Sequence, residues 1–375
     1  MKAIFAGQLY TGNDVRDDAY LIYNGKTITG IQSTWDGEVE GKYPVVTPAF
    51  IDPHSHIGLV RSGEPRSEAE ANDEMEPFIV HADALDSVQM DDTSFKDSIE
   101  SGVLYSCVVP GSGNIIGGYS AVIRNYAHNS TEALIGRAGI KAAIGYNPMS
   151  TRSWKGTRPF TRMGTFALLR GKLWETRERM KKKKDEEEVI TAEERLLRKL
   201  LKGNETLRVH AHKIDDIASL LRLVDEFAIR VTVEHTSDVH DVRVYQELKR
   251  RRIPVVFGPL DALAYKVELK HENWRNVRLL LESDVRFGLM TDHPVILQKT
   301  LLLELRWFLR CGMTKQQALE IITRQNSKII GIDKNLGTLE KGKWASAVCW
   351  NGDPFSLTSY PVGVIAEGNP IELDR

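Results

Sequence analysis

The chain has 375 residues, with 50 lysines and arginines against 51 aspartates and glutamates, and 42% of its residues are hydrophobic. This composition excludes an intrinsically disordered or fibrous protein, and a chain this long builds a core without disulfide or metal crosslinks. The formal net charge of −1 argues against a dedicated nucleic-acid or membrane-surface binder, because such proteins carry a basic excess. The block Lys181–Glu188 mixes both signs, which predicts a solvated helical segment. With no apolar run near the roughly 18 residues of a membrane span, we expect a cytoplasmic protein acting on a small molecule.

Both ends of the chain carry short β-type runs. Near the N-terminus these runs are Lys2–Ala6, Ala19–Tyr23 and Thr27–Gln32. Ala345–Trp350 repeats the pattern near the C-terminus, with turn residues on both sides. We therefore predict a small β-sheet (sandwich) domain that both termini form together, from residues 1–48 and 336–375.

The middle of the chain, residues 49–335, alternates apolar runs with amphipathic segments. The runs are Val45–Ile51, Val103–Val109, Ser120–Asn125, Gly139–Gly145, Leu207–His212, Arg230–His235, Ile253–Gly258 and Val285–Thr291. Several are followed by helical patterns such as Ile214–Phe227 and Val239–Arg251, which predicts an α/β fold and, within it, a (β/α)8 TIM-like barrel. A doubly wound open sheet is the alternative, although no G-x-G-x-x-G follows the first run to favour it.

Four of the predicted strands end in side chains that bind metals. His54 and His56 follow the first run, and their i, i+2 spacing on a strand points both imidazoles to one side. A second His-x-His pair begins at His210, His235 ends the sixth run, and Asp292 follows the last run. Because the C-terminal ends of barrel strands converge on one face, the pattern predicts a metal site there.

Four segments resemble the amidohydrolase superfamily, and within it a branch close to imidazolonepropionase. Thr47–His56 resembles the opening motif of the superfamily, and Val233–His235 and Thr291–Pro294 resemble its sixth- and eighth-strand signatures. Leu336–Lys343 resembles the entry into its C-terminal sheet, so the resemblance spans nearly the whole chain. It implies a metal-dependent hydrolase of non-peptide C–N bonds, above all in a cyclic amide.

The resemblance also implies roles for individual residues. His54, His56, His210, His235 and Asp292 are the expected metal ligands. His235 is expected to polarise the carbonyl oxygen or stabilise the tetrahedral charge. Asp292 is expected to take a proton from the attacking water and deliver it to the leaving nitrogen.

Loops beyond the strand ends are expected to contact the substrate. Asn147 and Arg162 follow the fourth run, and the arginine suits either a substrate carboxylate or a structural ion pair. His212 flanks the predicted ligands as a further candidate contact. The glycine-rich segment Pro110–Gly118 lacks the lysine of a phosphate-binding loop, which predicts a connection between the second and third strands.

The end of the fourth strand departs from the family pattern. Relatives with two metals carry there a carboxylated lysine or a glutamate that bridges the ions, whereas this chain has Tyr146. A phenol with an ordinary pKa near 10 is a poor bridge. Lys141 lies five residues before Tyr146. At about 3.3 Å per residue along a strand, we expect it roughly 16 Å from Tyr146, towards the opposite end of the barrel. We therefore expect one tightly bound divalent ion, with Zn first and Fe or Mn as alternatives.

Two other functions stay open at this stage. A heterocycle deaminase would use a similar site and would release ammonia. A catalytically impaired barrel that acts as a binding protein would explain the missing bridge, although it has no physical need for five intact site residues. The sequence specifies neither the substrate nor the oligomeric state. A homo-oligomer is compatible with it.

Overall fold

A computed structural model describes residues 1–151, 157–181 and 190–373. The predicted charged block, apart from Lys181 at the end of a helix, lies outside the described residues. The strands are β1 (Lys2–Tyr10), β2 (Val15–Asn24), β3 (Thr27–Gln32), β4 (Glu38–Pro48), β5 (Phe50–Ser55), β6 (Val103–Val108), β7 (Ile116–Tyr119), β8 (Ala121–Arg124), β9 (Leu134–Gly136), β10 (Ile140–Ala143), β11 (Thr206–Ala211), β12 (Arg230–His235), β13 (Val255–Phe257), β14 (Phe287–Leu289), β15 (Ala347–Trp350), β16 (Pro361–Ala366) and β17 (Asn369–Ile371).

The helices of the described residues are short, apart from α3 and α5. They are α1 (Thr93–Glu100), α2 (Ser130–Ala133), α3 (Arg162–Lys181), α4 (Ala192–Leu201), α5 (Ile214–Phe227), α6 (Val242–Arg250), α7 (Val277–Ser283), α8 (Leu301–Glu304), α9 (Arg306–Arg310), α10 (Lys315–Glu320) and α11 (Asn326–Ile329). A π-helical turn, Ile321–Gln325, precedes α11. Within the described ranges, none of these helices combines the length and the apolar character that a bilayer span requires.

The two termini share one sheet. In the described part of the chain its strands follow the order β17-β16-β15-β4-β1-β2-β3. Alternating side chains of these strands, among them Ile4, Leu21 and Cys349, form a small core of their own. The expectation that strands from both ends pair with each other is thus confirmed.

The remaining strands form two sheets that are linked at two places. Their orders are β5-β6-β8-β9 and β14-β13-β12-β11-β10-β7. On one side, β7 and β8 lie in one stretch interrupted at Ser120; β7 pairs with β10, and β8 pairs with β6. On the other side, Asp292 N donates to His54 O at 3.2 Å and His56 N donates to His293 O at 2.9 Å, which joins the ends of β14 and β5. The result is a mixed α/β structure around a large apolar core.

Two of the predicted strands differ in the structure. The run Val45–Ile51 is divided, because β4 ends at Pro48 in the terminal sheet and β5 begins at Phe50 in the second sheet. At the junction Ala49 N donates to Ser346 O and Phe50 N donates to Gly102 O, so neighbouring residues pair with different sheets. The run Ser120–Asn125 contains β8, which is antiparallel to β6, a direction that hydrophobicity does not encode. By contrast, β12 and α5 have the predicted bounds.

Asn326 fastens the edge strands β5 and β14 together. Its Nδ2 donates to Ile51 O at 2.6 Å and to Leu289 O at 2.9 Å, and its Oδ1 accepts from Leu289 N at 3.0 Å. Asn326→Ala leaves these buried backbone groups without partners, so we expect the free energy of unfolding to fall by about 3 kcal/mol or more. Urea unfolding measures the loss, and Asn369→Ala, an exposed change, should cost less than about 0.5 kcal/mol. Equal stability of the two variants would contradict this role of Asn326.

Candidate metal centre

The five predicted metal ligands meet where β5, β11, β12 and β14 end. His54 Nε2 lies 3.3 Å and His56 Nε2 lies 3.2 Å from Asp292 Oδ1. The ring centroid of His235 is 4.2 Å from that of His210 and 5.1 Å from that of His54. His235 and Asp292 both have positive φ, +76° and +51°, so the backbone turns sharply at the points where it presents these side chains. The structure therefore brings together all five residues.

Lys141 lies in the same cluster, and its predicted position was wrong. Its side chain is fully buried and its Nζ is 3.3 Å from His54 Nε2. The predicted separation was counted from Tyr146 along a straight strand, but β10 ends at Ala143 and the chain turns away at Gly145, where φ is +84°. Lys141 is therefore near the true end of its strand, and its long side chain carries the amine into the cluster. The reason for expecting a single metal ion is thereby removed.

Burial makes the amine of Lys141 easier to deprotonate than that of an ordinary lysine. Burial lowers the pKa of Lys141 to about 8, although Glu234 and Asp292 act in the opposite direction. An ordinary lysine has a pKa near 10.4, so a much larger fraction of this amine is unprotonated near neutral pH. An unprotonated amine is a nucleophile and a metal ligand, whereas an ammonium group is neither.

A buried ion pair beneath the cluster orients His54. Glu234 accepts a hydrogen bond from His54 Nδ1 and its Oε1 lies 2.7 Å from Arg208 Nε. Arg208 also donates from Nη2 to Pro53 O at 2.6 Å. Burial would raise the pKa of Glu234, but Arg208 and His54 hold it below its usual range, so the carboxylate is ionised. With Nδ1 acting as the donor, Nε2 of His54 keeps the lone pair that a metal ion needs.

Glu234→Gln should weaken metal binding by about 10- to 100-fold, because the carboxylate behind a ligating histidine sets its tautomer and basicity. The affinity is measured by competition with a chromophoric chelator. Thr232→Val is a matched control, since Thr232 Oγ1 donates to Glu234 Oε1 at 3.1 Å, whereas His54 Nδ1 bonds to the other oxygen, Oε2. A control that weakens binding as much as Glu234→Gln would show that general damage, rather than the carboxylate, is responsible.

The remaining histidines of the cluster are neutral. Burial lowers the pKa of His210 and of His235 well below the usual value, and it lowers that of His212 to about 4. His235 Nδ1 is 3.1 Å from Gly258 O, and its Nε2 is buried without a hydrogen-bond partner in the described part of the chain. Burial would raise the pKa of Asp292, but the neighbouring His235 outweighs it, and the pKa lies well below its usual range. Neutral imidazoles around an ionised carboxylate are a set of groups that suits a divalent cation.

Glu268 is a member of the site that the sequence did not reveal. It is fully buried, with Oε1 3.3 Å from His210 Nε2 and 3.8 Å from His212 Nε2. Its Oε2 accepts a hydrogen bond from Tyr146 N at 3.0 Å. It comes from the segment after β13, which carries no motif, so only the folded chain shows that this carboxylate faces the histidines.

A cavity of about 860 Å3 opens onto the cluster. His56, Asp292 and the predicted substrate contact Asn147 line it, and so does Ser112 of the glycine-rich connection, whose Oγ is 3.0 Å from His210 Nδ1. His212 lies beside the cavity residue His210, with ring centroids 4.7 Å apart. The volume of this cavity is in the range of pockets that bind small molecules.

Arg162, the other predicted substrate contact, forms an ion pair. Its Nε donates to Oδ1 of the buried Asp216 at 2.7 Å. Arg162 is also absent from the described residues that line the cavity. The structure therefore agrees with the structural ion pair, one of the two alternatives that the sequence allowed.

Comparison with known proteins gives a consistent picture. The sequence model of the Amidohydrolase family matches residues 45–371. Amidohydrolase tasK of Hapsidospora irregularis is 23% identical over 365 residues, which cover 88% of this chain but only 37% of that protein. The crystal structure of an amidohydrolase from Thermotoga maritima MSB8 superimposes with a TM-score of 0.91 and 27% identity over 100% of both chains. An adenosine deaminase from Xanthomonas campestris with bound zinc shares the fold, with a TM-score of 0.58 and 13% identity over 99% of this chain and 93% of that one.

Proposed function

The chain belongs to the amidohydrolase family, and we propose that it is a metal-dependent hydrolase of C–N bonds other than peptide bonds. The observation that carries the proposal is the buried amine of Lys141, which lies 3.3 Å from His54 Nε2 within a cluster of histidines and Asp292. These residues fit a metal ion: His54, His235 and Asp292 offer ligand atoms within 4.8 Å of one another. The buried Nε2 of His235, which has no hydrogen-bond partner among the described residues, would gain a partner on metal binding.

We propose that the site holds two ions. His54 and His56, which both contact Asp292, would hold one ion together with that carboxylate, and His210 and His235 would hold the other. Lys141 would supply the bridge: its unprotonated Nζ attacks the carbon of CO2 and loses a proton, and the carbamate has two oxygens to share. The placement and lowered pKa of Lys141 support this assignment.

In the reaction, divalent ions in this site would supply Lewis acidity and lower the pKa of water towards about 7. Asp292 is ionised and lies among His54, His56 and His235, so it can accept a proton from the attacking water and pass it to the leaving nitrogen. For His235 we keep the two roles expected from the sequence, metal ligand and stabiliser of the tetrahedral oxygen. Glu268 would hold His210 and His212 from the opposite side.

For the substrate we propose a cyclic amide that carries a carboxylate. The cyclic-amide class comes from the sequence resemblance to imidazolonepropionase. The carboxylate is supported by Arg66 and Lys266, two cationic residues that line the cavity. Two such cations beside a small cavity attract and orient an anionic ligand.

We also infer that the linked sheets form a (β/α)8-type barrel in which β7 and β8 together occupy the third position. Counted this way, Lys141 lies on the fourth strand, His210 on the fifth and His235 on the sixth. Residues 1–48 and 336–375 would then form a separate domain beside a barrel of residues 49–335. The edge hydrogen bonds and the shared terminal sheet support this division.

The proposal is tested on a panel of cyclic amides with and without carboxylates, N-acyl amino acids and aminated heterocycles. We expect ring opening without release of ammonia, and this activity should stop after chelation and return with Zn2+. His56→Ala serves as the inactive control, provided that circular dichroism shows a folded chain. Ammonia from an aminated heterocycle would instead indicate a deaminase. A metal-loaded protein that turns over nothing on the panel would favour the binding-protein alternative.

A further inference from the structure

A second pair of histidines lies outside the cluster around His54, in the segments that follow β12 and β13. The rings of His240 and His271 are 4.0 Å apart between centroids, with 40° between their planes, and both residues are exposed. Asp238 lies beside them and is only 1% exposed. The three residues offer ligand atoms within 4.8 Å of one another. The fold thus places two exposed imidazoles, each a potential metal ligand, beside one another.

The Nδ1 atoms of both histidines already have partners on Asp238. His240 Nδ1 is 2.8 Å from the backbone oxygen of Asp238, and His271 Nδ1 is 3.3 Å from its Oδ2. Both partners are acceptors, so each Nδ1 carries a proton and Nε2 is the nitrogen of each ring that is available to a metal ion. Histidines that bind metals in proteins donate their other ring N–H to a backbone carbonyl or a carboxylate. One buried residue supplies both kinds of partner here.

We propose that His240 and His271 bind a divalent transition-metal ion such as Zn2+ through their Nε2 atoms. Asp238 orients the two imidazoles and is not itself a ligand, because its Oδ1 accepts from His271 N at 2.5 Å and its Oδ2 is 3.6 Å from Lys213 Nζ. Two imidazoles leave positions for water, so this site binds more weakly than a site with four protein ligands. The proposal does not depend on the function proposed above.

An ion bound by His240 and His271 would link two segments of the chain, one of which lines the cavity. His271 belongs to the same segment as Lys266, which lines the cavity, and Glu268, which contacts His210 and His212. An ion shared with His240 would connect this segment to the one that follows β12. Because an ion that binds only the folded chain stabilises it by mass action, saturating Zn2+ should raise the melting temperature of the loaded enzyme.

Isothermal titration calorimetry of Zn2+ into protein already loaded with its tightly bound metal tests the proposal. We expect one additional equivalent in the wild type, and a loss of affinity of at least tenfold in His240→Ala and in His271→Ala. Elemental analysis should show unchanged tight metal in both variants. His128→Ala removes another exposed histidine and should bind like the wild type. The proposal is overturned if the wild type takes up no additional equivalent, or if both alanine variants keep it.

A measurement on the wild type covers the case in which a variant does not fold. Diethyl pyrocarbonate modifies accessible imidazole nitrogens, and peptide mass spectrometry reports the rate at each histidine. Zn2+ should slow the modification of His240 and His271 together and leave His128 unchanged. Equal rates with and without Zn2+ at the pair would refute the site.

Discussion

Lys141→Ala will bind at most about one tightly held metal ion where the wild type binds about two, and its kcat/KM will fall by at least about 10²-fold. The variant loses the amine that lies beside His54 Nε2, and with it the group that we propose as the bridge. A Lewis-acidic ion contributes several kcal/mol to the transition state, and each 1.4 kcal/mol is tenfold in rate. Elemental analysis after dialysis and steady-state kinetics measure the two effects.

Two controls separate the bridge from a general loss of structure. Tyr146→Phe removes the phenol that the sequence placed at the bridging position, and it should keep both the metal content and the activity. Acetate or propionate added to Lys141→Ala can fill the space of the missing carbamate, so part of the activity should return. A Lys141→Ala variant with full metal content and unchanged kinetics would show that the lysine is not a bridge.

Asp292→Asn will lower kcat by about 10²- to 10⁴-fold, the usual contribution of a positioned acid or base. The amide keeps the shape and one coordinating oxygen of the carboxylate, but it cannot accept a proton at neutral pH. Most of the metal should therefore remain, since His54 and His56 are untouched. The measurements are kcat on the best substrate of the panel and metal content after dialysis.

The comparison of Asp292→Asn with Lys141→Ala distinguishes proton transfer from metal binding. The aspartate variant should lose turnover at nearly full metal content, whereas the lysine variant should lose both together. If Asp292→Asn retained activity within a few-fold of the wild type, Asp292 would not be the proton shuttle. The fold and the family assignment would be unaffected by that result.

Features that depend on local sequence were predictable. The period-2 and period-3.6 patterns gave β12 and α5 their correct bounds, and the His-x-His spacing predicted His54 and His56 on one side of a strand. Once strands are known to end on a common face, their terminal histidines must meet. This geometry explains why all five predicted ligands converge although they are far apart in the chain.

Features that depend on where the backbone turns, or on partners from distant segments, were not predictable. Lys141 was misplaced because the bend at Gly145 shortens the strand by amounts that hydrophobicity does not show. Arg208 and Glu234 each appear as an ordinary charged residue within a strand, and only the pairing of β11 with β12 makes them a buried ion pair. Glu268 reaches the site from a segment without regular pattern. In each case the missing information is three-dimensional.

The pairing of β4 has a consequence for the chain during its synthesis. One edge of β4 pairs with β1, which is made shortly before it, but the other edge pairs with β15, which is made last of the three. Until residues 347–350 leave the ribosome, the second edge of β4 lacks its native neighbour. An uncovered strand edge is a template for pairing with another polypeptide. Nascent chains on neighbouring ribosomes of one messenger therefore expose the same unpaired edge, which the completed chain covers with its own β15.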